Sequence, residues 1–352
     1  MNLRRLASFR LPANSSRYFM SRAEALAQPT GNMLIQSHQN SGHLFNSLFS
    51  EQEIRYDSLY STVNQFHLIQ ATKEIESVIS GLRGSIFIEI GCGQGELVDW
   101  LISIGERAYG FDPVCRTSAT YLSPENFSID RIASEYPSDS RLVFVMRCVL
   151  PHITNPFQFI TSILDQFPYA KFLMQHQRIE HYGMTSTWTS LMHDHVNIFQ
   201  VQDFRNYFTV ETSSIFCGGE WQQIIISART GREIMVNQTG IATIERLLSA
   251  REEHLKVLAT QRSVYFFGAA GKGINFAYAC VESGINLQGA IDDSSALNNR
   301  YLEGSGVRVS APGDLSSVKT IGATMIVMNH SHLALAREMF RDFSWIESLH
   351  TI

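Results

Sequence analysis

Nine residues from Ile88 to Glu96, IEIGCGQGE, run an apolar segment straight into a turn carrying Gly91, Gly93 and Gly95. Glycines at such a turn let backbone approach a ligand with no Cβ in the way. Dinucleotide enzymes space them GxGxxG, and the third glycine packs the following helix against its strand. That third position is Glu96 here, a poor fit for close packing. The spacing GxGxG therefore favours a ligand without a pyrophosphate, such as the methionine end of S-adenosylmethionine (SAM). Asp112 closes the next apolar segment. A carboxylate there accepts hydrogen bonds from ribose hydroxyls, which fits either adenosine ligand. The bland alternative is a tight turn that binds nothing.

Two histidine groups follow. His152 stands in RCVLPHITNP, just past an apolar segment, where ligands bind in open α/β sheets. His193, Asp194 and His195 form a polar island in LMHDHVNIF. His-x-His can ligate zinc, but no third ligand is obvious, with only His176 and His181 nearby in sequence, so no metal is expected. A polar loop is the plain alternative. A neutral histidine oriented by a carboxylate can also serve as a general base. Farther on, GAAGKG spans Gly268 to Gly273. Backbone amides at a helix start, with Lys272 beside them, suit a substrate phosphate or simply make a tight turn. Asp292 and Asp293 close the next segment and either meet a ribose or begin a turn.

Alternating strands and helices must position these groups. A helix is predicted over 65–80, then the strand 85–90 and the helix ELVDWLISIG closed by Gly105. RAYGFDP, stopped by Pro113, RLVFVMRCVL and KFLMQH continue as strands, so the class is α/β with a parallel sheet and crossover helices. Residues 240–261 form a charged amphipathic helix, after which strand and helix restart as a smaller α/β unit. Residues 1–70 read as polar and irregular. The expected division is an N-terminal lobe 1–64, a ligand-binding domain 65–239 and a C-terminal domain 240–352.

The chain has 352 residues, 44% hydrophobic and 17% charged, which is ordinary for a globular protein. A net charge of −5 argues against nucleic acid or membrane surfaces as partners and leaves a small molecule. Five scattered cysteines, none in a CxxC pair, make a reducing cytoplasm the expected compartment. No apolar run approaches the ~20 residues of a membrane span. Arg4, Arg5, Arg10, Arg17 and Arg22 precede the first acid, Glu24, so a transit peptide competes with a basic start to the fold.

Taken in order, YDSLYSTVNQFH, EIGCGQG, RCVLPHI, LMHDHVNIF, FFGAAGKGINF and IDDSSALNNRYLEG resemble the SAM-dependent sugar C-methyltransferases, which methylate a keto-sugar linked to a nucleoside diphosphate. The resemblance implies a class I, Rossmann-like methyltransferase domain and a Rossmann-like C-terminal domain, with SAM as cofactor. It implies that Glu89, Gly91, Gly93, Gly95 and Asp112 hold SAM. It makes His195 the general base, with Asp194 in place of the family glutamate, and His152 the second active-site histidine. Gly268, Lys272 and Asp292 fall to the substrate. The family tyrosine is Met192 here, and two cysteines of its zinc-binding lobe fall at His38 and Ser41, so the lobe is expected to keep its shape without metal. LPANS resembles part of that lobe, which favours fold over transit peptide. An O- or N-methyltransferase and a non-catalytic SAM- or nucleotide-binding subunit are the rival functions. Glu96 disfavours a nicotinamide dehydrogenase.

Overall fold

The computed structural model describes residues 3–14, 16–55, 65–115, 118–231, 233–317 and 322–352. Most of YDSLYSTVNQFH lies outside the described residues. A seven-stranded sheet forms the centre, in the order Phe208–Phe216, Trp221–Arg229, Lys171–Gln177, Leu142–Arg147, Ile86–Ile90, Arg107–Phe111, Leu122–Ser123. Trp221–Arg229 runs antiparallel to its two neighbours, and the other neighbouring pairs are parallel. The central strands are apolar on both faces because both are covered. Ile86, Ile88, Phe144 and Phe172 pack on Ile160 and Ile163 of the helix Pro156–Gln166. Phe87, Val143, Val145 and Leu173 pack on Ile75 of the helix Gln65–Ile79 and on Leu97 and Leu101 of the helix Glu96–Ser103.

A second sheet is parallel throughout, in the order Val309–Ser310, Leu287–Ile291, Val264–Phe267, Ala323–Val327, Ile346–Thr351. The helix Gly271–Glu282 lies against it, and the charged helix Thr239–Ala259 precedes it. No helix among the described residues is long and apolar enough to cross a membrane.

The described part of the N-terminal lobe, residues 3–14 and 16–55, is more regular than its sequence suggests. Leu3–Pro12, Thr30–His38 and Leu44–Asn46 form an antiparallel sheet, and Asn197–Ile198 joins its edge right after the histidine island. The basic start is thus a sheet strand, with Arg4 paired to Glu245 on the helix Thr239–Ala259. One apolar cluster joins Ala7, Met33 and Ile35 of this sheet to Ile244 and Leu247 of that helix. It continues to Phe266, Ile274 and Phe276 of the C-terminal unit.

Candidate active site

The glycine turn leaves the strand Ile86–Ile90 as predicted. Gly91, Gly93 and Gly95 have φ of 70°, 55° and 88°, a region L side chains rarely adopt. A Cβ on Gly91 would stand 2.4 Å from Val149 Cγ2, whereas one on Gly93 would meet nothing within 4 Å. Gly93 therefore faces open space, and its lack of a side chain keeps that space clear. Asp112 accepts from the Gly93 amide at 3.0 Å and from the Val114 amide at 2.9 Å. It ties the turn to the neighbouring strand and keeps lone pairs for further donors.

Glu89 is 1% exposed. Its Oε1 accepts from Arg147 Nε at 2.8 Å, while its buried Oε2 has no hydrogen-bond partner among the described residues. Burial pushes its carboxyl above the ordinary value, and the Arg147 guanidinium pulls it back. Arg147 was missed in the sequence, although an arginine closing so apolar a strand as LVFVMR is itself a signal.

The histidine island splits. His195 and Asp194 turn toward His152, whose ring lies 4.9 Å from that of His195. His152 donates from Nδ1 to the Asp194 carbonyl at 2.7 Å, since a carbonyl only accepts. Burial, and then the neighbouring His152, push His195 down to about 4, against the opposite pull of Asp194. His193 faces away: its ring lies where a Cβ on Gly31 would be, with Nε2 3.5 Å from Glu53. His176 is a core residue between Phe199 and Phe204. Thus the partner that the island lacked in sequence is His152.

Three neighbours hold the loop that bears these groups. Asn275, buried on the helix Gly271–Glu282, donates to the carbonyls of Thr189 and Leu191, both at 3.0 Å. Asn46 donates to the His193 carbonyl at 3.3 Å, and its amide donates to the Val196 carbonyl at 2.7 Å. Asn197 Oδ1 accepts from His43 Nε2 at 2.8 Å, and its Nδ2 donates to the Ile153 carbonyl at 2.7 Å. Beside the loop lies a small pocket lined by Tyr182, Leu191, Met192, His195 and Phe199. Met192 gives that wall an apolar surface.

In the C-terminal unit Asp292 repeats the device of Asp112. Its carboxylate accepts from the Ala269 amide at 2.7 Å and the Ser294 amide at 2.9 Å, bracing the turn at Gly268. Lys272 is paired with Glu220 at 2.6 Å, and both side chains are largely buried. The pair links the first turn of the helix Gly271–Glu282 to the turn before the strand Trp221–Arg229.

No family model matches the chain, and no curated protein matches it. Among solved structures, a Sulfolobus solfataricus protein assigned to the type 11 methyltransferases is 13% identical, with a TM-score of 0.34 over 46% of this chain and 94% of its own. The PH0226 protein of Pyrococcus horikoshii OT3 is 13% identical, with a TM-score of 0.36 over 51% and 99%. Magnesium protoporphyrin IX methyltransferase of Synechocystis PCC 6803 is 12% identical, with a TM-score of 0.32 over 48% and 90%. The sheet order, its one reversed strand, and the glycine turn braced by the next strand's carboxylate are those of the α/β, Rossmann-like fold of class I methyltransferases.

Proposed function

We propose that the protein is a SAM-dependent methyltransferase acting on a small molecule, with a carbon beside the ketone of a nucleotide-linked sugar as acceptor. The observation that carries this is the positive-φ glycine turn set between the orphaned Glu89 Oε2 and Asp112. A buried carboxylate oxygen without a donor suits the SAM ammonium, Asp112 suits the ribose, and Gly93 leaves room for the ligand. Bound SAM would supply a methyl group on a sulfonium, which is a good leaving group. His195, neutral near pH 7, takes the α-proton of the acceptor. So weak a base works only if its protonated form is stabilised as the proton moves, and Asp194 stands where it can do that. Holding the enolate oxygen is assigned to His152, which requires a proton on Nε2 because its Nδ1–H is committed to the Asp194 carbonyl. Gly268, Lys272 and Asp292 are assigned to the substrate's nucleotide end, which requires Lys272 to leave Glu220. The three-part division of the chain and a cytoplasmic setting belong to the same proposal. Met192 favours a second acceptor class, a hydroxyl or amine, since transfer to oxygen or nitrogen needs only a base and positioning. Carbon NMR of the product separates the two.

Calorimetric titration with S-adenosylhomocysteine, beside NAD, tests the cofactor. Micromolar binding lost in Asp112→Ala, with none for NAD, is the expected result. A folded sample that binds no S-adenosylhomocysteine overturns the proposal. His195→Ala should keep that binding while turnover of a keto-sugar nucleotide falls at least about a hundredfold.

A further inference from the structure

We propose that His152, Asp194 and His195 form a binding site for a borderline divalent cation of the Zn²⁺ or Co²⁺ class. One potential ligand atom from each residue lies within 4.8 Å of the other two. Donors around a tetrahedral ion with metal–nitrogen bonds of about 2.0–2.1 Å sit about 3.4 Å apart. Closing that gap requires the side chains to turn, and the imidazole χ2 torsion is broad enough to permit it.

A second observation points the same way. Metal-ligating histidines almost always donate their other N–H to a carboxylate or backbone carbonyl, which fixes tautomer and ring direction. The His152 Nδ1–H already does so to the Asp194 carbonyl at 2.7 Å, leaving Nε2 as the nitrogen that can ligate. Asp194 contributes to the frame twice, through its carbonyl to His152 and through its carboxylate to the ion. That side chain is 0% exposed, and a buried carboxylate favours a nearby positive charge.

Two imidazoles and one carboxylate suit zinc, cobalt or nickel, whereas Mg²⁺ and Ca²⁺ demand oxygen ligands. Three protein ligands leave a coordination position open, as in exchangeable sites, and His195 lines the pocket beside the loop, from which an ion and its water could enter. His193 and His176, the other histidines close to the island in sequence, are turned elsewhere.

Cation binding does not depend on the transferase function. One consequence does: an ion on His195 takes the lone pair that proton abstraction needs, so occupancy would silence the enzyme.

The test uses the full chain, stripped with a chelator and titrated with Co²⁺ while visible ligand-field bands are recorded, then with Zn²⁺ in a calorimeter. One ion per chain is expected. His152→Ala, His195→Gln and Asp194→Asn should each weaken Co²⁺ binding about tenfold or more, because loss of outer partners alone costs about 10–100-fold. Far-ultraviolet circular dichroism checks that each variant is folded, and each is also titrated with S-adenosylhomocysteine. Wild-type protein that binds no Co²⁺, or variants that bind it unchanged, would overturn the proposal. Co²⁺ bound by wild type and weakened in the variants supports it, even if S-adenosylhomocysteine binds to none of them, in which case only the cofactor assignment fails.

Discussion

His176 shows what burial does to a single side chain. It is 1% exposed, its ring centroid lies 5.6 Å from those of both Phe199 and Phe204, and its Nδ1 meets the Gln177 carbonyl at 2.8 Å. Burial pushes it from the ordinary 6.5 down to about 4. The fold therefore holds it neutral, whereas the unfolded chain protonates it more readily. Its contribution to stability is full above pH 6.5 and is lost as pH falls toward about 4. Denaturant titrations across that window should show His176→Phe losing less stability on acidification than wild type. Equal slopes would assign the acid sensitivity to other groups. Residues whose partners are close in sequence were legible: Gly93 and Asp112 lie 19 apart on one strand–turn–strand unit. Arg147 lies 58 residues from Glu89, and no local pattern joins them.

At the scale of elements, the central strands declared themselves because both faces are apolar, and the N-terminal sheet did not. In Thr30–His38 the buried positions are Gly31, Met33, Ile35 and Ser37. Two of those four carry little or no apolar surface, so the period of two is hidden. The reason for a glycine at 31 lies elsewhere in the chain: an added Cβ would stand 2.0 Å from His193 Nε2. Gly31→Ala should displace His193 and the loop behind it, at a cost of about 1–3 kcal/mol in chemical denaturation. S-adenosylhomocysteine binding should survive, since the glycine turn is on another element. The pairing of His152 with His195 was reached only through the family resemblance. Two Asn side chains that position it, Asn46 and Asn275, carried no signal, because a buried amide looks like any polar residue until its carbonyl partners are known.

Across the whole molecule, the apolar cluster from Met33 through Leu247 to Phe276 ignores the boundaries that composition suggests. Leu247 is 0% exposed within it. Leu247→Ala should cost about 2–5 kcal/mol and leave one cooperative unfolding transition, measured together by near-ultraviolet and far-ultraviolet circular dichroism. Two separated transitions would show that the sheets unfold independently. The loop carrying Asp194 and His195 is anchored from Asn275 on one side, from Asn46 and Gly31 on another, and through Asn197 to the residue after His152. For anyone building chimeras, this makes the loop a poor module. Grafted alone into a relative, LMHDHVNIF would arrive without the glycine that makes room for it or the amides that stretch it into place. The loop would then have to be exchanged as part of a matched set drawn from three distant stretches of the gene.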